Sequence, residues 1–99
     1  MKLEQIRNYK RELNQIAQRY GIESLAIFGS VARGESTPNS DIDFLLDMKK
    51  DASLFGVGGF IHDASLLLGV SVDAVPRSTL ATVQDREFVH RIQEESVLL

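Results

Sequence analysis

Asp41 and Asp43 stand two residues apart at the head of an apolar run containing Ile42, Phe44, Leu45 and Leu46. Residues i and i+2 of a strand point to one face, so these two carboxylates lie side by side. Like charges held this way repel, and each raises the other's pKa unless a cation sits between them. A divalent metal is the usual cation, and Mg²⁺ takes one or two carboxylates while substrate phosphates complete its shell. Upstream, the apolar stretch Leu25-Ala26-Ile27-Phe28 runs into Gly29-Ser30. A Gly-Ser turn offers backbone N–H groups and a hydroxyl to phosphate oxygens. Each signal is weak alone, but their combination, with strands on either side, points to a metal–nucleotide site.

A third acid, Asp73, interrupts the otherwise apolar segment 70–75. Strand propensity and desolvation both disfavour aspartate there. One reading is an edge-strand acid paired with Arg77. The other, favoured because the three acids then explain one another, sets Asp73 beside Asp41 and Asp43 on a neighbouring strand. Such a triad suits two metals clamping the attacking and leaving oxygens of a phosphoryl displacement. Asp41 and Asp43 would bridge both ions. Asp73 would sit nearest the attacking hydroxyl and accept its proton. Ser30 would hold the terminal phosphates, with a helix N-terminus behind it. Arg33 is open to two roles, neutralising phosphate or pairing with Glu35 or Asp41. Asp47 shares the carboxylate face but, at the far end of the strand, is expected to be solvated.

The elements that must position these groups follow from periodicity. Residues 3–20 carry Leu3, Ile6, Leu13, Ile16, Ala17 and Tyr20 at helical spacing, and Gly21 stops the helix. Residues 24–29 read as a strand, followed by a short helical segment at Val31-Ala32-Arg33. Residues 34–40 are turn-formers. Residues 41–47 alternate as a second strand, with Ile42, Phe44 and Leu46 facing the core. Residues 53–69 read as a helix ended by Gly69. Gly56, Gly58 and Gly59 each weaken its first half by about 1 kcal/mol, so either the helix starts near Phe60 or the glycines admit close approach of a backbone or ligand. Residues 70–75 form a third strand closed by Pro76. Ser78 or Thr79 caps a last helix over 82–95, with Val83, Phe88, Val89 and Ile92 inward. The order predicts an α/β domain with a small mixed sheet of three or four strands flanked by helices.

Ninety-nine residues are read as one domain, residues 1–99, able to bury about 60–70% of its unfolded surface. The chain has no cysteine, which removes disulfides and thiolate metal sites. Its N-terminus is charged throughout, unlike a signal peptide, and no apolar run approaches the roughly 20 residues that span a bilayer. The net charge of −3 argues against an extensive nucleic-acid surface. A cytoplasmic location is the expectation. No GxxxxGK[ST] run occurs, which removes a P-loop, and Phe55-Gly56-Val57-Gly58-Gly59 lacks dinucleotide-fold spacing. His62-Asp63 resembles a metal-phosphohydrolase pair, but that chemistry needs further histidines and only His90 remains.

GSVARGE over residues 29–35, SDIDFLL over 40–46 and VDAV over 72–75 together resemble the polymerase-β-like nucleotidyltransferases, and more narrowly the minimal nucleotidyltransferases of prokaryotes. The resemblance covers nearly the whole chain. It implies that Gly29 and Ser30, with Arg33 and Ser40, bind the nucleotide. It also implies that Asp41, Asp43 and Asp73 carry two Mg²⁺ ions and that ATP is the substrate. Many members pair with a helical HEPN-family toxin, an RNase, as its antitoxin, and transfer AMP to a tyrosine of that partner. The glycine-rich segment departs from the ordinary helix of the family. A chain this short lacks the wall that orients an acceptor hydroxyl, so a macromolecular partner is expected to supply it. Val97-Leu98-Leu99 and the glycine-rich segment are candidate contacts in a hetero-oligomer. Two rivals stand beside this reading. One is an antitoxin that only masks its toxin, and the other is an enzyme acting on RNA or a small-molecule hydroxyl.

Overall fold

The computed structural model describes residues 1–99. The elements run α1 (Leu3–Arg7), α2 (Lys10–Arg19), β1 (Ile22–Phe28), α3 (Gly29–Ala32), β2 (Ile42–Met48), α4 (Phe55–Leu68), β3 (Val72–Pro76), a 3₁₀ turn (Arg77–Thr82), α5 (Arg86–Glu95) and β4 (Val97–Leu98). The strands form one mixed sheet in the order β3-β2-β1-β4, parallel between β2 and β3 and antiparallel elsewhere. This is the mixed α/β architecture expected from the sequence, with four strands.

The alternation in β2 divides the molecule into two sides. Ile42, Phe44 and Leu46 point into the larger core, under α1, α2 and α4. There Phe44 meets Phe60 edge to face, with ring centroids 5.3 Å apart. Burying an aromatic or aliphatic side chain of this size contributes about 1.5–3 kcal/mol. Leu45 lies on the opposite side, fully buried with Ala26, Leu80, Val89 and Ile92. That smaller cluster holds the 3₁₀ turn and α5 over one half of the second face. The other half, where Asp73 projects, is exposed, and Asp43 lies partly buried at the boundary.

Several elements differ from the periodicity reading. The first helix is broken in two: the Asn8 and Tyr9 N–H groups bond three residues back, to Gln5 and Ile6, before α-helical bonding resumes at Leu13. Asparagine is a weak helix former, and Tyr9 packs against the core at the break. The middle helix begins at Phe55, so of the two readings of its glycines the close approach of a backbone holds and the late start near Phe60 does not. Gly56 and Gly59 make room for Tyr20. A Cβ on Gly56 would lie 2.5 Å from the Tyr20 carbonyl oxygen, and one on Gly59 would enter the ring. Tyr20 is fixed from the same helix, donating its hydroxyl proton to Asp63 at 2.6 Å, which also accepts from Arg19 at 2.9 Å. Asp63 is therefore a packing feature, and His62 beside it is exposed. The glycine-rich segment serves helix–helix contact on the side of the sheet away from the carboxylates.

At the C-terminal end, residues 77–82 wind as a 3₁₀ turn and the last helix starts only at Arg86. Its cap is Asp85, which accepts the Phe88 N–H at 3.0 Å, in place of Ser78 or Thr79. Arg77 does not pair with Asp73. Its Nε donates to Asp47 at 2.8 Å, and Ser24 donates to the same carboxylate at 2.8 Å, so Asp47 is a fastener between β1, β2 and the 3₁₀ turn, not a solvated acid. The terminal residues are docked: β4 pairs with β1, the Leu99 N–H bonds the Leu25 carbonyl at 3.0 Å, and Leu99 is buried.

Two measurements check this packing. Alanine at Gly58, which has open space above it, should stabilise the helix by about 0.5–1 kcal/mol in urea unfolding. Alanine at Gly56 or Gly59 should instead cost about 1–3 kcal/mol through overpacking against Tyr20. Arg77, with help from Ser24, holds the Asp47 carboxyl below its ordinary range. Its stabilisation is therefore present above about pH 4 and is lost as pH falls through the lowered folded value. The melting-temperature gap between wild type and Asp47→Asn should be flat near neutrality and close in acid. Because both partners are partly exposed, the gap should correspond to less than about 1 kcal/mol.

Candidate active site

Strand register assembles the site. Phe28, the last residue of β1, lies opposite Asp43 on β2, and Asp43 lies opposite Asp73 on β3. The turn that follows Phe28 therefore begins beside Asp43, and the two aspartates occupy neighbouring strands on one face. Asp41 precedes β2 by one residue and is exposed.

Gly29 makes the turn from strand to helix with φ +77°, a left-handed conformation that favours glycine. A Cβ there would also collide with the Asp43 carboxylate. The turn thus needs glycine for two separate reasons, backbone conformation and space for the acid. Ser30 follows in α3, a single turn of helix held over the end of the sheet by buried Val31.

Burial pushes the Asp43 carboxyl above its ordinary range, and Asp73 and Asp41 push it the same way. The Arg33 guanidinium opposes them. Asp41, Asp43, Asp73 and Glu95 crowd the site, and Arg33 is the cation that offsets their effect on Asp43; that imbalance is the reason to consider a metal. No three His, Cys, Asp or Glu side chains converge as a self-sufficient cage. A hard cation that takes one or two carboxylates and brings its other oxygens with a nucleotide fits such a donor set, which is the habit of Mg²⁺.

The remaining candidates separate. Arg33 donates Nε to Glu35 at 3.0 Å and Nη1 to both oxygens of Glu95, at 3.2 and 3.0 Å; it does not pair with Asp41. Glu35 and Glu95 keep Arg33 firmly charged. Ser40 is engaged within its own loop, where its hydroxyl accepts the Thr37 N–H at 2.8 Å. Glu95 was not singled out by sequence. Its carboxylate also accepts the Gly29 N–H at 3.0 Å. The one local sign was an acid in the last turn of a helix, where the dipole favours cations. Beside Gly29 opens a cleft of about 320 Å³, walled by Phe28, Arg33, Asp43, Phe88, Arg91 and Glu95. The Arg91 guanidinium lies 5.9 Å from the centre of the Phe88 ring.

A glycine turn and carboxylates on adjacent strands of a mixed sheet, as this chain combines them, are the parts of a nucleotidyltransferase. Residues 6–99 match the nucleotidyltransferase domain family, and the chain belongs to it. It is 36% identical over 72 residues to the protein adenylyltransferase MntA of Thermococcus cleftensis, a match covering 73% of this chain and 70% of that protein. Among solved structures, a minimal nucleotidyltransferase superposes with a TM-score of 0.80 at 29% identity, covering 100% of this chain and 97% of the other. A toxin–antitoxin complex solved with AMP-PNP shares the fold, with a TM-score of 0.68 at 16% identity over 89% of this chain and 69% of that one.

Paired alanine variants separate the two demands on Gly29. Gly34, also at positive φ (+74°), has nothing within 4 Å of an added Cβ. Gly34→Ala should cost only the backbone conformation, about 1–2 kcal/mol. Gly29→Ala should cost more in the same thermal or urea titration, the excess reporting the contact with Asp43.

Proposed function

We propose that this chain transfers AMP from ATP to a hydroxyl of a partner protein, a tyrosine of a HEPN-type toxin, and acts as its antitoxin. The observation that carries this reading is the register that sets the Gly29 turn beside Asp43 and Asp73 on one open face. The name borne by the Thermococcus relative supports a protein as acceptor, and the fold-sharing toxin–antitoxin complex supports a toxin as the partner.

In this mechanism the Gly29 and Ser30 N–H groups and the Ser30 hydroxyl bind phosphate oxygens, and Arg33 offsets their charge. Asp41, Asp43 and Asp73 are the residues that would hold Mg²⁺. When bound, two such ions supply charge neutralisation for an in-line phosphoryl displacement. Asp73, on the outer strand, takes the proton from the acceptor hydroxyl. The acceptor oxygen forms a bond to the α-phosphorus, the bond from that phosphorus to the β-phosphate bridging oxygen breaks, and pyrophosphate leaves. The face carrying the acids is covered by α5 on one half only, so the partner closes the other half and excludes water. Ser40 shapes the loop that delivers Asp41. The catalytic unit is the single domain 1–99. No helix is long and apolar enough to cross a membrane, and the work is assigned to the cytoplasm, where ATP and the partner are available.

Incubating the chain with labelled ATP, Mg²⁺ and its neighbouring gene's product should label the partner. Asp73→Asn should lower the rate by about 10²–10⁴-fold, the span of a lost general base, and Asp43→Asn should lower it through weakened Mg²⁺ binding. Label on RNA or on a small molecule would move the acceptor. Full protection from the toxin by the Asp41→Asn, Asp43→Asn double variant would instead favour masking without catalysis.

A further inference from the structure

We propose that Glu95 is an internal occupant of the phosphate cradle, and that nucleotide enters by displacing its carboxylate from Gly29 and Arg33. The inference rests on the reading of Gly29 and Ser30 as that cradle and adds what fills it beforehand.

The geometry is that of an anion in its site. One carboxylate oxygen accepts the Gly29 N–H at 3.0 Å, and both accept from Arg33 Nη1. These are charge-assisted contacts of the kind a phosphate oxygen makes. A phosphate oxygen bonded to the Gly29 N–H would have to stand where the Glu95 Oε1 atom stands. Two anions cannot share that place.

Glu95 is also held where its surroundings do not favour it. It is the last residue of α5, at the negative end of the helix dipole, and the Asp43 carboxylate lines the same cleft. Its side chain is only 14% exposed. Glu94, one residue earlier, follows the ordinary pattern: it is 70% exposed and faces His90. What retains Glu95 is therefore its pair of donors. Departures from local preference of this kind collect at functional sites.

Displacement leaves Arg33 ready. Its Nε stays on Glu35, while the freed Nη1 faces the cleft and the incoming phosphate. Glu95 thus sets nucleotide affinity without touching the reacting atoms.

Calorimetric titration of the full chain with Mg-ATP tests this. Glu95→Gln should bind about tenfold or more tighter than wild type, the factor expected when one competing charge-assisted contact is lost. Glu94→Gln removes the same charge one residue away and should leave Kd unchanged. Weaker or unchanged binding by Glu95→Gln, or equal tightening by both variants, overturns the proposal. Should Glu95→Gln not fold, Glu95→Asp keeps the charge, lacks the reach and should tighten binding in the same way. Ser30→Ala separates the two claims. If it weakens binding while the Glu95 variants fail to tighten it, the cradle stands and only the role of Glu95 falls. If it binds ATP as well as wild type does, the cradle falls and the proposal with it.

Discussion

Everything in this chain that bears on chemistry depends on the pairing of three strands in one register. Phe28, Asp43 and Asp73 lie in line across β1, β2 and β3. A slip of one residue in either pairing would send an aspartate into the core with Phe44 or Phe60. Register is strongly specified here because β2 is buried on both sides: Ile42, Phe44 and Leu46 are committed to one core and Leu45 to the other. The hydrophobic pattern that stabilises the sheet is thus what aligns the charged groups. The site is placed by packing, and its acids work against stability where they crowd.

That division explains what was legible beforehand. The alternation in residues 41–47 exposed both the strand and its carboxylate face, because period two is a local property. The Gly29-Ser30 turn and the three acids were readable as types at particular spacings. The structure brings Asp43 and Asp73 into register and leaves Asp41 at the strand entrance. Partners far along the chain were not readable. Arg77 is 30 residues from Asp47, and the apolar pattern around Asp73 drew attention to the wrong acid. Glu95 is 66 residues from Gly29, and nothing in its own segment names that partner. The glycines of α4 argued locally against a helix, and the room that Gly56 and Gly59 make for Tyr20 is a tertiary contact. Asp85 displaced Ser78 and Thr79 as cap because a 3₁₀ turn fills the interval after Pro76.

The two sides of the sheet have different economies of charge. On the helical side, Asp63 is matched: it accepts from Tyr20 and Arg19. On the open side, Asp47 is matched by Arg77 and Ser24, whereas Asp43 has only Arg33 to offset several acidic neighbours, and Arg33 is itself shared between Glu35 and Glu95. One guanidinium is thus divided among competing anions within a few ångströms of the turn. Any anionic ligand entering the cleft must redistribute these contacts, and the C-terminal helix, which contributes Glu95, Phe88 and Arg91 to the wall, takes part in that exchange.

Asp73 has a further consequence through its location. It sits on β3, an outer strand whose free edge carries unpaired backbone groups. Such edges recruit other strands, and proteins commonly blunt them with a charge, with proline or by keeping them short. β3 uses two of these, with Asp73 at its second residue and Pro76 at its fifth. The acid assigned to proton transfer is thus also a guard against aggregation. A lineage that abandoned the chemistry would still feel selection to keep a charge at this position for solubility, so a retained aspartate here is by itself a poor marker of an active copy.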